Sequence, residues 1–239
     1  AEMIKYASNS VLATLISFSN EIGRLCSAIG DVDVADVMRG VHEATYFNVV
    51  SESGERRKAS ITAFLEAGCG FGGSCLPKDI AALTAQGRSL GVAMPLISDV
   101  LEINRSQPEE LLRLVRKHVS DLKGIRVTVL GLAFKPGTDD LRESPAFPII
   151  RALRTAGADV TAFDPIARPA DHPDLAGVQL AQRLEDAIAA ADVVVHVTRW
   201  PEFERLGELL KQIGRNPLVV DGRRNLRPAD FARYEGVGR

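Results

Sequence analysis

Apolar side chains recur at Ile4, Ala7, Val11, Leu15, Phe18, Ile22 and Leu25, in steps of three and four that mark one face of a long helix over residues 1–26. Asp33 is placed to cap a second helix bearing Val34, Val37, Met38 and Val41, with Asp36 favourable in its first turn. Residues 43–58 are polar and charged and read as a loop or a frayed helix. A short apolar piece, 61–65, leads into GCGFGGSC, after which Pro77 suits the first turn of a helix ending near Gly91. Another helix follows Pro95. Pro108 either kinks it or begins a new one capped by Ser106, with Glu109 completing a capping box. Residues 1–118 are therefore expected to form an all-helical domain.

At Gly124 the period changes from helical to extended. IRVTVLGL, DVTAFDP, DVVVHVT and PLVVDG read as buried strands, and 144–155, 184–190 and 202–213 as the helices between them. β-Branched runs alternating with short helices predict a Rossmann-like, doubly wound parallel α/β domain over 119–239, so that the chain as a whole is α/β. Ligands of such sheets sit at the carboxyl ends of the strands near the topological switch point. AFKPGTDDLRES after the first strand and DGRR after the last are the segments to watch there.

Composition narrows the function. The 239 residues, 46% hydrophobic, are enough for two cores, and 29 Lys and Arg against 31 Asp and Glu leave a net charge of −2. That balance provides no field for nucleic acid or an anionic membrane. No apolar run reaches the roughly 18 residues of a transmembrane helix. Cys26, Cys69 and Cys75 are too few for a disulfide framework and fit a reducing, cytoplasmic compartment. The four histidines lack metal-ligand spacing, so no metal site is expected. The start at Ala1, running straight into helical periodicity, reads as an internal boundary of a longer protein.

Gly68, Gly70 and Gly73 match GxGxxG literally, but a helical segment precedes them where a dinucleotide fingerprint needs a strand. Four glycines in six residues instead let backbone approach a ligand without Cβ hindrance. Cys75 closes that turn just before a helix start, where free amides and the dipole stabilise a thiolate; Lys78 adds charge, and Asp79 shares the helical face. Lys5 and Asn9, one turn apart, lie opposite much of the first helix's apolar face and read as a solvated stripe unless Cys75 faces them. Lys135 and Arg142 at a strand's carboxyl end suit an anion such as a diphosphate, and an ordinary βα turn with solvated charges satisfies the same spacing.

AEMIKYASN, GFGGSCLPKD, LGLAFKPGTDDLRESP and DGRR, in this order, resemble the nucleotide-sugar (UDP-glucose/GDP-mannose) dehydrogenases over nearly the whole chain. The resemblance implies a helical central domain that makes a homodimer and a C-terminal domain that holds the nucleotide sugar. It also implies that the family's N-terminal NAD domain, with its catalytic Thr and Glu, is not among these residues. The family reaction oxidises the sugar C6 alcohol to a carboxylate with two NAD⁺, through a cysteine thiohemiacetal and thioester. On that pattern Cys75 is the nucleophile, Lys5 and Asn9 steady the C6 oxygen, and Asp79 positions or activates water. Phe64, Leu65, Glu66, Gly70, Phe71, Gly72, Phe134, Lys135 and Arg223 would hold the nucleotide sugar. Residues 75–78, including Lys78, and Arg142 would touch the nicotinamide end of NAD.

One position departs from the pattern. Many members carry an arginine sixteen residues before the nucleophile that reaches a neighbouring subunit's sugar; here it is Ala59, with Arg56 and Arg57 close by. The implied substrate is UDP-glucose, with GDP-mannose as the alternative. A different class of reading is a non-catalytic nucleotide-sugar-binding and assembly module.

Overall fold

The computed structural model describes residues 2–50, 53–168 and 172–239. Ala1 and residues 51–52 of the expected 43–58 loop lie outside these. The first helix, α1 (Glu2–Ile29), is followed by α2 (Val34–His42), whose Asp33 cap accepts from the Ala35 amide at 2.8 Å. Then come α3 (Leu76–Ser89) and α4 (Pro95–Arg116). At about 1.5 Å per residue, α1 is about 42 Å long and forms the spine of the helical half.

Three features of this half differ from the pattern reading. First, the apolar stripe of α1 is not its core face: Ile4, Val11, Phe18 and Leu25 are 73, 53, 45 and 57% exposed. The buried face is small and polar, with Ser10, Ala13, Ser17, Asn20, Gly23 and Cys26. Small side chains let neighbouring helices approach closely, and the serine hydroxyls are satisfied by carbonyls, as Ser17 is by Val100. Second, β1 (Asn48–Val50) and β2 (Arg56–Lys58) pair antiparallel where a loop or frayed helix was expected. Third, Pro108 lies inside an uninterrupted α4, and the Ser106 hydroxyl donates back to the Ile103 carbonyl at 2.8 Å instead of capping a new helix.

The C-terminal half is a six-stranded, all-parallel sheet. Its strands are β3 (Arg126–Leu130), β4 (Asp159–Phe163), β5 (Gln179–Leu180), β6 (Val193–His196), β7 (Leu218–Asp221) and β8 (Tyr234–Gly236), in the order 5-4-3-6-7-8. The order reverses between β3 and β6, which is the switch point. Helix α5 (Ala146–Thr155) covers one face; α6 (Leu184–Ile188) and α7 (Leu206–Gln212) cover the other. Valine-rich strands buried on both faces explain the run-like hydrophobic signal. The two halves share a core: Cys26, Val34, Met38, Leu111 and Val115 from the helices join Val127, Val129, Val195 and Val220 of the sheet. No helix among the described residues is long and apolar enough to cross a membrane.

Candidate functional site

The glycine turn between residues 66 and 74 runs through the junction of the two halves and is bonded to both. On the helical side the Gly68 amide donates to Asn20 Oδ1 at 2.7 Å. Asn104 accepts from the Phe71 amide at 2.8 Å and donates to the Phe71 carbonyl at 3.0 Å. On the sheet side the Cys69 amide donates to the Gly222 carbonyl (2.8 Å) and the Gly73 amide to the Arg142 carbonyl (2.9 Å). Arg223 Nη1 donates to the Gly70 carbonyl at 2.9 Å. A Cβ at Gly72 would fall 2.1 Å from the Glu143 carbonyl oxygen, and one at Gly73, where φ is +83°, would fall 2.8 Å from the Phe134 ring. These glycines serve close packing of the turn against the loop after β3. A short 3₁₀ segment (Ser60–Phe64), not a strand, precedes the turn.

Cys75 occupies the cap position of α3, exposed, with Pro77 in the first turn. One turn on, the Asp79 amide donates to the Cys75 carbonyl at 2.9 Å, and the Asp79 carboxylate is fully buried. Asn9 Nδ2 donates to Asp79 Oδ2 at 2.7 Å, Lys5 Nζ stands 3.4 Å from the same oxygen, and Lys78 Nζ stands 3.5 Å from Oδ1. Burial works against the charged carboxylate, but the Asn9 hydrogen bond and the two ammonium groups outweigh it and hold Asp79 below the usual carboxyl range. Lys5 and Asn9 are thus engaged across the helix pair, and the structure gathers them with Asp79 one turn from Cys75.

Two concavities meet at this helix start. A cleft of about 330 Å³ lies between the halves, and among its walls are Phe64, Glu66, Gly70, Phe71 and Gly72 of the turn region, with Leu76 beside Cys75. The sheet contributes Phe134 and Lys135 after β3, Thr198 and Arg199 after β6 and Arg223 after β7, all at strand carboxyl ends by the switch point. Leu65 does not line it; it is buried, and its carbonyl faces His42 Nε2 at 3.0 Å. A second groove of about 780 Å³ takes in Pro77, Lys78, Arg105, Arg142 and Arg151. Phe71 borders both. Beside the groove, Asp140 accepts from the Arg142 guanidinium through Nε and Nη2, and those hydrogen bonds, with the Arg142 amide, pull the Asp140 carboxyl down to about 2.

The loop carrying Arg223 is fixed by buried Asp221, whose Oδ1 accepts from the Arg223 and Arg224 amides at 2.9 Å each and faces His196 Nδ1 at 3.0 Å. Its Oδ2 accepts from the Leu226 amide and the Tyr234 hydroxyl. Burial disfavours this carboxylate, yet His196 and the backbone amides outweigh it and keep its pKa low. Asp164 does the same for the loop after β3, accepting from the Leu132 and Ala133 amides and Trp200 Nε1. Asn20, Asn104, Asp164 and Arg199 were not singled out by sequence, and Asp221 was named only as part of DGRR. The signal available was an asparagine within each of two long helices and an aspartate at the carboxyl end of each of two strands.

Residues 1–106 match the model of the UDP-glucose/GDP-mannose dehydrogenase family, central domain, and residues 128–228 that of the same family's UDP binding domain. The chain is 41% identical over 237 residues to UDP-glucose 6-dehydrogenase AglM of Haloferax volcanii, covering 99% of this chain and 51% of that protein. It is 40% identical over 231 residues to UDP-glucose 6-dehydrogenase TuaD of Bacillus subtilis, covering 93% and 46%. The structure of a UDP-glucose dehydrogenase from Pyrobaculum islandicum superposes with a TM-score of 0.83 at 35% identity, covering 99% of this chain and 50% of that one. The chain spans about half the length of the relatives it matches.

Proposed function

The chain belongs to the UDP-glucose/GDP-mannose dehydrogenase family, and we propose that it holds the nucleotide sugar and presents Cys75 to the sugar C6 in a UDP-glucose 6-dehydrogenase-type oxidation. The observation that carries this reading is the placement of Cys75 at a helix start bordered by an inter-half cleft and by a groove whose walls include Lys78 and Arg142. The cleft's place at the strand carboxyl ends and its lining, with Lys135 and Arg223 on its wall, support a nucleotide-sugar site. The groove's Lys78 and Arg142 fit an anionic dinucleotide. Lys78 and Arg142 would hold the nicotinamide end of NAD⁺, which would supply the hydride acceptor, one molecule for each of the two oxidations.

The chain's own residues do the rest. Cys75 Sγ adds to the C6 aldehyde to give a thiohemiacetal, and water later cleaves the thioester at the same carbon. Lys5 and Asn9 donate to the C6 oxygen as negative charge develops on it. Asp79, kept anionic by Asn9, Lys5 and Lys78, orients the attacking water and accepts its proton. UDP-glucose is favoured over GDP-mannose because the matching C-terminal model is a UDP binding domain and the two relatives above are UDP-glucose 6-dehydrogenases.

The exposed stripe of α1 supports a homodimer. Ile4, Val11, Phe18 and Leu25 repeat every seven residues, the spacing by which long helices pair. Three cysteines, none in a disulfide, accord with the cytoplasm.

A thermal-shift panel of UDP-glucose, GDP-mannose and UDP-N-acetylglucosamine tests the reading, because a ligand of the folded state alone raises the melting temperature. UDP-glucose should raise it most. No shift with any of the three would overturn the assignment.

A further inference from the structure

Behind the cleft lies a smaller recess of about 190 Å³, formed by Val34, Met38 and His42 of α2 together with Arg224. Glu66, Ala67 and Arg199 border both spaces, so what separates them is narrow. Its closure is the Arg199 guanidinium in ion-pair contact with the Glu66 carboxylate. Arg199 is not a loose surface arginine. Its Nε and Nη2 also donate to the Arg223 carbonyl at 3.1 and 2.7 Å. One guanidinium is therefore held from the helical half by Glu66 and from the sheet half by Arg223, and it stands as a fixed strut across the junction.

The cleft has a direction. Gly72 and Leu76 place one end beside Cys75, Lys135 and Arg223 lie along its wall, and no residue of 68–76 borders the recess. On the reading argued above, C6 of the sugar lies at the Cys75 end and the diphosphate against Lys135 and Arg223. The base then points at Arg199 and Glu66. We propose that the Arg199–Glu66 pair is the end wall of the base subsite and selects a pyrimidine over a purine nucleotide. A purine carries a second fused ring beyond the length of a pyrimidine, and the wall stands where that ring would go. The recess behind it is the room a purine would occupy if the wall were removed.

This inference rests on the nucleotide-sugar reading, and the experiment separates the two. Binding of UDP and of GDP is measured by calorimetry for the chain and for Arg199→Ala and Glu66→Ala, which open the wall from opposite sides. Melting curves establish that each variant is folded. The unaltered chain should bind UDP at least tenfold more tightly than GDP. Both variants should narrow that ratio at least fivefold, with GDP affinity rising in absolute terms, a gain that mere loosening of the site would not produce. If the unaltered chain binds UDP and the ratio stays the same in either folded variant, the wall is not the selector and only this inference fails. If it binds neither nucleotide, the nucleotide-sugar reading falls, and this inference with it.

Discussion

On the proposed reading Lys135 and Arg223 both meet a diphosphate, yet the structure makes them unequal, and alanine substitutions should separate their roles. Among the described residues Lys135 makes no hydrogen bond or ion pair; its ammonium stands 5.4 Å over the Phe134 ring. An exposed cation–π contact contributes about 0.5–1 kcal/mol, so Lys135→Ala should lower the melting temperature by no more than about 2–4 °C for a chain of this size. Arg223 already spends its guanidinium on the protein, with Nε donating to the Val197 carbonyl at 2.5 Å and Nη1 to the Gly70 carbonyl at 2.9 Å. Hydrogen bonds from a charged group contribute about 1.5–3 kcal/mol each. Losing two, with both carbonyls left in the junction, should cost about 3 kcal/mol or more and lower the melting temperature by about 6–12 °C. Against UDP in calorimetry, Lys135→Ala should lose one charge-assisted bond and weaken affinity about tenfold or more, since 1.4 kcal/mol is a factor of ten. Arg223→Ala should lose affinity and stability together. An Arg223→Ala variant as stable as the parent, or a Lys135→Ala variant with unchanged affinity, would refute the assignment of these roles.

Four further outcomes are expected. Phe18→Glu puts a charge in the exposed stripe of α1 and should convert a dimer to a monomer in light scattering; a parent chain that is already monomeric at micromolar concentration sinks the stripe as an interface. Cys75 should react with iodoacetamide well ahead of Cys26 and Cys69, which are buried and whose thiols burial pushes up; equal labelling by peptide mass spectrometry would count against an accessible nucleophile. Asp140, held at about 2 against an ordinary 3.8, contributes stability above the higher value that is lost as pH falls through the lower one. Arg142→Ala should return its carbon-13 titration toward 3.8, and a titration still near 2 would exclude Arg142 as the cause. Finally, the 239 residues expressed alone should bind UDP-glucose yet form no NADH from it with NAD⁺, since Gly68–Gly73 lacks the preceding strand of a dinucleotide fingerprint; turnover lost in Cys75→Ala would place the NAD site within them.

What was legible in the sequence was what a period or a motif can carry. The four strands β3, β4, β6 and β7, the Asp33 cap, Pro77 in the first turn of α3 and the Cys75 turn stand where their patterns put them. The inward face of α1 was not legible, because the strongest apolar stripe is the exposed one and the packed face is built of serine, alanine and glycine, whose burial no hydropathy period reports. β5 and β8 are two and three residues long, too short for alternation to register. The reach of Lys5 and Asn9 to Asp79 joins residues 70 or more apart in sequence, and spacing along one helix is silent on what another helix brings to it.

These long-range ties bear on catalysis through rigidity. On the proposed reading, reaction at C6 needs Cys75 and the sugar held to a fraction of an ångström, and such positioning is a large share of enzymatic rate. The cleft's two walls are joined at several independent points: Cys69 to Gly222, Gly73 to Arg142, Arg223 to Gly70 and Arg224 to Asp33 at 2.5 and 2.6 Å. Asp33 also caps α2, so one carboxylate fastens a helix start and an arginine of the sheet. Arg224 holds φ at +56°, a conformation that costs a side-chain-bearing residue about 1–3 kcal/mol. It persists because the Asp221 carboxylate takes its amide and the Asp33 carboxylate takes its guanidinium. All of these partners lie within the protein, so the DGRR conformation is held without any ligand contact. On the proposed reading, the nucleotide-sugar site is set before ligand arrives, and binding energy is not spent on building it.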